Sequence, residues 1–125
     1  MLNVSIVYIN KDLQQNEFNL LASMLTDEKR NMIEKYKFYF DAQLALFGDV
    51  LARYAICKRF NFLNSDLYFD LNKYGKLFVT MNLDIQYNIS HAGRYVVCVV
   101  NEGIPVGIDV EIIKPTDLKI AKRFF

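Results

Sequence analysis

The sequence predicts an α+β fold in which helices pack against an antiparallel sheet. Residues before Asn64 show helical periodicity, and those after it form short alternating segments divided by turn residues. The chain has 125 residues, of which 53% are hydrophobic, so it can bury one core and is too short for two ordinary domains. We therefore expect a single domain over residues 1–125, with its helices and its sheet in separate layers.

The first half is expected to contain a strand and two helices. Residues 2–9 alternate loosely between apolar and polar side chains and are rich in Val and Ile, which predicts a strand. Thr26 precedes two acids, the pattern of a helix N-cap with a negatively charged first turn, so a helix is expected over residues 27–37. Residues 41–60 have the strongest helical periodicity. Gly48 in this long helix is expected to let another backbone approach closely.

The pattern of the second half is typical of strands joined by turns. Residues 66–71 and 77–79 are expected to be strands on either side of a turn. Residues 86–90 and 94–100 flank the sequence His91-Ala92-Gly93, which predicts a hairpin with the histidine at its tip.

The last part of the chain predicts one more strand and the start of a helix. Residues 105–113 are apolar enough for a strand, and Thr116 is a potential N-cap for a helix over residues 117–125. Because two bulky apolar residues, Phe124 and Phe125, come last without a cap, the chain is expected to end within this element.

Composition argues against several classes of function. The net charge of +1 provides no field that would hold a polyanion, so no nucleic-acid partner is expected. The apolar runs are much shorter than the roughly twenty residues that cross a bilayer, so no membrane partner is expected. No basic segment or cleavage site follows Met1, which favours a cytoplasmic protein. Cys57 and Cys98 belong to no CxxC motif and are expected to be buried thiols.

Asp109 and Glu111 are the candidate metal ligands. They stand two apart in an apolar segment, so a strand would project both carboxylates from one face, while Ile108, Val110 and Ile112 face the core. Two neighbouring carboxylates suit Mg²⁺ that is completed by waters and substrate phosphates. The same spacing fits two solvated acids on an exposed strand face, which is the more frequent case.

Three basic or polar groups are candidates for an anion or nucleotide site. His91, with Ser90 and Arg94 beside it, could complement a phosphate. Residues 73–76, Lys-Tyr-Gly-Lys, place an aromatic ring between two ammonium groups, which suits a base stacked above a phosphate. Lys29 belongs to a basic helix face. An ordinary turn histidine, a charged turn and a solvated helix face explain the three groups without any ligand.

Taken together, these motifs resemble the phosphopantetheinyl transferases of the surfactin-synthetase type. The similarity includes 88–94 (Asn-Ile-Ser-His-Ala-Gly-Arg), 107–111 (Gly-Ile-Asp-Val-Glu), 73–76, and 118–125 (Leu-Lys-Ile-Ala-Lys-Arg-Phe-Phe), in the family's order and spacing. It extends to residues 27–30 and 47–53, so it covers nearly the whole chain. Those enzymes are pseudo-dimers of two similar halves with coenzyme A and Mg²⁺ bound between them, and this chain matches the N-terminal half.

The resemblance implies a phosphoryl-transfer reaction. A serine hydroxyl of a carrier protein attacks the β-phosphorus of coenzyme A, phosphopantetheine moves to that serine, and adenosine 3′,5′-bisphosphate leaves. Asp109 and Glu111 would hold Mg²⁺ against the pyrophosphate. The resemblance assigns six residues to the nucleotide: Lys29, Ser90 and His91 at or near the 3′-phosphate, and Tyr74, Gly75 and Lys76 along the adenine.

The sequence departs from the family pattern in two places. The family's long helix carries an Arg and a Thr that bind the 3′-phosphate, and here Leu44 and Ala45 stand at those positions. We therefore expect nucleotide affinity to depend on His91 and not on this helix. The W-x-x-K-E-x-x-x-K element, with a metal carboxylate and the lysine that serves the nucleophile, belongs to the half that this sequence does not include. This chain alone is expected to be inactive.

Three hypotheses follow. In the first, the chain is a transferase subunit that is complete only with a second polypeptide supplying the C-terminal half. In the second, it is a truncated, non-catalytic remnant or interaction module with residual nucleotide affinity. In the third, copies of the chain associate into a homo-oligomer, which would still lack the missing lysine and glutamate. The apolar C-terminal residues and exposed strand edges around residues 106–113 favour some partner chain.

Overall fold

The computed structural model describes residues 2–71, 73–75, 77–80 and 83–113. Three helices and five strands lie in these ranges, and the predicted α+β class is confirmed. The elements in chain order are β1 (Asn3–Tyr8), α1 (Gln15–Ala22), α2 (Asp27–Glu34), α3 (Tyr39–Phe60), a short 3₁₀ helix (Asn64–Asp66), β2 (Phe69–Leu71), β3 (Leu77–Val79), β4 (Ile85–Ala92) and β5 (Tyr95–Glu102). The prediction of a helix over 117–125, which includes Phe124 and Phe125, lies outside the described residues.

The main sheet is antiparallel and has the strand order β1-β5-β4, while β2 and β3 pair separately. Asn3 lies opposite Val100, and Ala92 lies opposite Tyr95 across the predicted hairpin. Gly93 forms the turn with φ 57°, a left-handed conformation that glycine adopts without strain. The hairpin is confirmed, but its tip is Gly93 and Arg94, and His91 belongs to β4.

The long helix α3 packs against the main sheet and forms the larger core. Leu51 and Ile56 of α3 are buried there with Val96, Cys98 and Val100 of β5. At Gly48 a Cβ atom would lie 3.3 Å from Ile89 Cγ2, so the close neighbour is a β4 side chain and not the expected backbone. Cys98 is buried as predicted, and Cys57 is only partly buried.

The helices α1 and α2 pack on the other side of α3 around a second buried cluster. Phe18 and Ala22 of α1 and Ile33 of α2 meet Leu46 of α3 there. The predicted cap of α2 is confirmed, since Thr26 Oγ1 accepts a hydrogen bond of 3.2 Å from the Lys29 backbone N–H. The helix α1 was not predicted from the sequence.

The connection between β1 and α1 is fixed by a buried amide of α3. The Gln43 side chain accepts a hydrogen bond of 2.7 Å from the Leu13 N–H and donates one of 3.1 Å to Asp12 Oδ1. A fully buried amide needs such partners, because leaving it unpaired would cost free energy.

Two strand predictions need correction. Of residues 66–71, only Phe69–Leu71 forms a strand, because Asp66 Oδ2 accepts from the Leu63 N–H and starts the short 3₁₀ helix. Residues 105–113 form no strand. Instead, Asn88 Oδ1 accepts from the Ile108 N–H at 3.1 Å, so a β4 side chain takes the place of a backbone ladder. Within the described ranges, no helix is long and apolar enough to cross a membrane.

Candidate functional site

A half-open cavity of about 270 Å³ lies between α2 and α3 and extends to β2 and β4. Its polar lining consists of Thr26, Glu28, Lys29, Asp49 and Arg53, and its remaining lining is formed by Leu25, Met32, Ala52, Phe69, Gly75 and Tyr87. Two of the residues that the resemblance assigned to the nucleotide, Lys29 and Gly75, therefore line the same cavity. A cavity with an apolar floor and a few charged groups is suited to a small organic anion.

The Lys29 side chain crosses from α2 to α3. Its Nζ lies 3.7 Å from Asp49 Oδ1, and both side chains are largely removed from solvent. Burial raises the pKa of the Asp49 carboxyl, although Lys29 and Arg53 both act to lower it. The two cations therefore do not fully offset the cost of burying this carboxylate.

Arg53 is the second cation of the cavity. Its Nη1 donates a hydrogen bond of 2.9 Å to Asn64 Oδ1, and its guanidinium lies 4.8 Å from the centre of the Phe69 ring. Burial lowers the pKa of Arg53, while the charge of Asp49 raises it. Tyr87 closes the cavity from β4, and its pKa is raised to about 12, chiefly by burial.

Asp49 and Arg53 were not predicted as site residues. Both lie outside the apolar stripe of the long helix, and they stand four residues apart, so they occupy the same side of α3. An acid and a base four residues apart also pair on the exposed surfaces of helices. The sequence alone therefore could not show that these two side chains line a cavity.

Ser90 connects β4 to the predicted metal ligands. Its hydroxyl donates a hydrogen bond of 3.2 Å to Asp109 Oδ1, and the same oxygen accepts one of 3.2 Å from the Val110 N–H. Exposure alternates over residues 108–111 as predicted, since Asp109 and Glu111 are exposed and Ile108 and Val110 are half-buried. The predicted strand is not formed, and Ile108 and Val110 belong to neither core cluster.

Ile112 was predicted to face the core, and this is wrong because its side chain is 53% exposed. It lies over the hairpin turn instead, where its Cδ1 is 2.8 Å from the position that a Cβ atom on Gly93 would take.

The carboxylates of Asp109 and Glu111 fit a shared cation only in part. Two exposed hard oxygen donors two residues apart suit Mg²⁺, which keeps waters and takes substrate phosphates as further ligands. Over the ranges that the structure describes, no group of three or more His, Cys, Asp or Glu side chains is arranged to hold a metal ion. Any metal bound here would need oxygen atoms from elsewhere.

Three of the other predicted nucleotide residues, Tyr74, Ser90 and His91, do not line this cavity. His91 is exposed on β4 opposite Val96, and Tyr74 is 82% exposed with Lys73 Nζ 5.0 Å from its ring centre. Arg94, a candidate phosphate neighbour, instead donates a hydrogen bond of 2.9 Å to the Ile9 carbonyl. Lys76 lies outside the described residues.

Leu44 and Ala45 both take part in apolar packing. Leu44 is buried in the larger core, and Ala45 packs against the second cluster. Neither position offers a side-chain donor to a phosphate.

Comparison with known proteins gives a consistent result. Residues 12–103 match the family described as "4'-phosphopantetheinyl transferase, N-terminal". The 4'-phosphopantetheinyl transferase Sfp of Bacillus subtilis is 39% identical over 119 residues, which are 95% of this chain and 53% of Sfp. The 4'-phosphopantetheinyl transferase gsp of Aneurinibacillus migulanus is 37% identical over 125 residues, 100% of this chain and 52% of gsp. The chain spans about half the length of these curated relatives.

Two solved structures are similar in fold. The holo-[acyl-carrier-protein] synthase of Helicobacter pylori, in complex with coenzyme A, has a TM-score of 0.60 at 15% identity, with 82% of this chain and 100% of that chain covered. The holo-(acyl-carrier-protein) synthase of Bacillus anthracis, in complex with CoA (3',5'-ADP), has a TM-score of 0.58 at 17% identity, with 81% and 93% covered. At these identities the likeness shows a common fold.

Proposed function

Because this chain belongs to the 4'-phosphopantetheinyl transferase family and matches its N-terminal part, we propose that it takes part in transferring phosphopantetheine from coenzyme A to a carrier protein. The observation that carries the proposal is the cavity in which Lys29 and Gly75 meet. We assign residues 1–125 as one domain, equivalent to the first half of the transferase. The proposed setting is the cytoplasm.

The nucleotide end of coenzyme A is proposed to bind at this cavity and beside β4. Lys29 and His91 provide N–H donors for the 3′-phosphate. Ser90 is assigned beside them, and its O–H would have to turn from Asp109 Oδ1 to donate to the phosphate. Tyr74, Gly75 and Lys76 are assigned to the adenine, because Gly75 lines the cavity and the other two adjoin it in the sequence. The cavity is too small for the whole of coenzyme A, so the rest of the ligand would extend outside it.

Asp109 and Glu111 are proposed to hold Mg²⁺ against the pyrophosphate of coenzyme A. When bound, Mg²⁺ would offset negative charge on the pyrophosphate. The hydrogen bond from Ser90 to Asp109 Oδ1 fixes one of these carboxylates relative to β4. In the transfer, the serine oxygen of the carrier protein bonds to the β-phosphorus, and the bond from this phosphorus to the adenosine 3′,5′-bisphosphate breaks. We assign the base that takes the serine proton to a second half.

A second polypeptide is proposed to complete the enzyme. The outer face of the main sheet exposes Val4, Ile6 and Tyr8 of β1 and Tyr95 of β5, which form an apolar surface. A surface of this kind favours association with another chain. Association of identical copies is the alternative, and sedimentation at several concentrations distinguishes the two.

A non-catalytic remnant is the second candidate function. The burial of Leu44 and the apolar character of Ala45 favour it, because α3 lacks donors where the family binds phosphate. Such a protein would bind nucleotide weakly and transfer nothing.

The test is a transfer assay that follows the mass of an apo carrier protein. We expect no added phosphopantetheine with this chain and coenzyme A alone, and transfer after a polypeptide containing the missing half is added. Transfer by the chain alone would contradict the two-chain proposal. Absence of transfer with several well-folded second halves and carrier proteins would favour the non-catalytic remnant.

A further inference from the structure

The long helix has no side-chain donor where its relatives are expected to bind phosphate. Leu44 belongs to the larger core and Ala45 to the second cluster, so both positions serve packing. Any phosphate contact from α3 must therefore come from another turn of the helix.

Arg53 lies on the same side of α3 as Ala45. Residues four apart are neighbours on a helix surface, so Ala45, Asp49 and Arg53 form one row along α3. Asp49 and Arg53 both line the cavity, and Lys29 reaches the row from α2 with its Nζ 3.7 Å from Asp49 Oδ1.

The Arg53 guanidinium is held in position by two contacts. Asn64 Oδ1 accepts from Nη1 at 2.9 Å, and the Phe69 ring lies under the guanidinium at 4.8 Å. A guanidinium has five N–H donors, and the Asn64 bond uses one of them. Fixing the side chain in advance lowers the entropy cost of binding a ligand.

Four charged groups among the described residues line the cavity between α2 and α3. Two are the cations Lys29 and Arg53, and two are the carboxylates Asp49 and Glu28. Burial disfavours the ionised form of Asp49 and raises its pKa, and Glu28 is exposed, so solvent screens its charge. Lys29 and Arg53 are thus the groups that can attract an anion here.

We propose that Arg53 acts with Lys29 to bind the 3′-phosphate of the nucleotide, in place of the side chains that are absent at positions 44 and 45. This replaces the expectation from the sequence that nucleotide affinity would not depend on the long helix. This inference rests on the proposed function, because it takes coenzyme A as the ligand. Arg53 is then a binding residue that determines specificity for a 3′-phosphorylated nucleotide.

The test compares adenosine 3′,5′-bisphosphate with adenosine 5′-monophosphate by calorimetry. We expect wild type to prefer the bisphosphate, and Arg53→Gln to reduce the ratio of the two affinities by roughly 10- to 100-fold, as for a lost charge-assisted hydrogen bond. Arg53→Lys keeps the charge and should retain part of the preference. Arg59→Gln is the matched control, since Arg59 is also half-buried on α3 but does not line this cavity.

A measurement on wild type covers the case in which Arg53→Gln fails to fold. The Arg53 Nε–H resonance of ¹⁵N-labelled protein should move when the bisphosphate is added and not when the monophosphate is added. An undiminished preference in Arg53→Gln, no preference in wild type, or an unmoved resonance would overturn the inference and leave the proposed function intact. If wild type binds neither nucleotide nor coenzyme A, the proposed function fails and the inference fails with it.

Discussion

The cavity between α2 and α3 and the segment that carries Asp109 and Glu111 are both charged, but they are supported in different ways. The cavity residues stand on two helices whose inner faces belong to buried clusters. Residues 108–111 form no helix or strand, and the side chains of Asn88 and Ser90 hold this segment to β4.

The core determines where the cavity residues lie. The site at Asp109 and Glu111 must be completed by a ligand or a partner. Packing of α2 on α3 fixes the backbone at Lys29, Asp49 and Arg53, which line the cavity. The Asp109 and Glu111 carboxylates are exposed and depend on a few polar bonds. We expect substitutions in the two regions to affect stability and activity in different proportions.

The largest expected effect is the loss of transfer in Asp109→Ala. In an assay with the second half supplied, the rate should fall by roughly 100-fold or more, since charge neutralisation by a metal is worth several kcal/mol. The free energy of unfolding should change by less than about 1 kcal/mol, because the side chain is exposed and its hydrogen bond from Ser90 is exposed as well. Glu102→Ala, an exposed carboxylate at the end of β5, is the control. A transfer rate equal to that of wild type in Asp109→Ala would contradict the assignment of Asp109 as a metal ligand.

A smaller effect is expected for His91→Ala on nucleotide binding. An imidazole that bonds to phosphate contributes roughly 1.5–3 kcal/mol, so the preference for coenzyme A over its 3′-dephospho form should fall about tenfold or more. Calorimetry measures both affinities, and Gln86→Ala on the same strand is the control. Because His91 is exposed, thermal unfolding should not change. An unchanged preference would show that the phosphate lies elsewhere.

Ser90→Ala tests how the 108–111 segment is held. The substitution removes the bond to Asp109 and the acceptor for the Val110 N–H, so the free energy of unfolding should fall by roughly 1 kcal/mol. Urea denaturation measures this change. Ser90→Thr keeps the hydroxyl and should retain most of the stability. Equal losses in the two variants would mean that packing, and not the hydroxyl, holds the segment.

The smallest effect concerns pH and the cavity. Burial raises the folded-state pKa of Asp49 above 3.8, so the folded protein binds this proton more tightly than the unfolded chain does. The stability that this tighter proton binding gives the folded protein is therefore greatest below the unfolded-state pKa of Asp49. It is lost as the pH rises through the folded-state pKa of Asp49. The unfolding free energy of wild type relative to Asp49→Asn should thus decrease from acid to neutral pH, as measured by urea titrations. An increase would mean that the ion pairs outweigh burial.

Local signals predicted the parts of the fold that depend on local chemistry. Thr26 accepts from the Lys29 N–H as its position before two acids indicated, and Gly93 takes the left-handed turn of the hairpin. The helix α1 was missed because its N-cap position is Gln14 and not Ser, Thr, Asp or Asn. Its start at Gln14 depends instead on Glu17, which accepts from the Gln14 N–H at 2.9 Å.

The errors arise where tertiary contacts decide the result. Residues 105–113 have the composition of a strand, but Asn88 and Ser90 side chains satisfy backbone N–H groups that a ladder would use. Lys29 and Asp109 were found as candidates through the motifs. Asp49 and Arg53 were not, since only the packing of α2 on α3 distinguishes their side of the helix from solvent.

The pairing of β1 with β5 has a consequence for the order in which the protein folds. Asn3 pairs with Val100, so during synthesis β1 has its partner only after the helices and β4 have been made. The contacts of α1 and α2 with α3 need much shorter loops, and such local contacts form faster. We therefore expect the helices to assemble first, while β1 remains unpaired with its apolar side chains exposed. During that interval a nascent chain is most prone to aggregation.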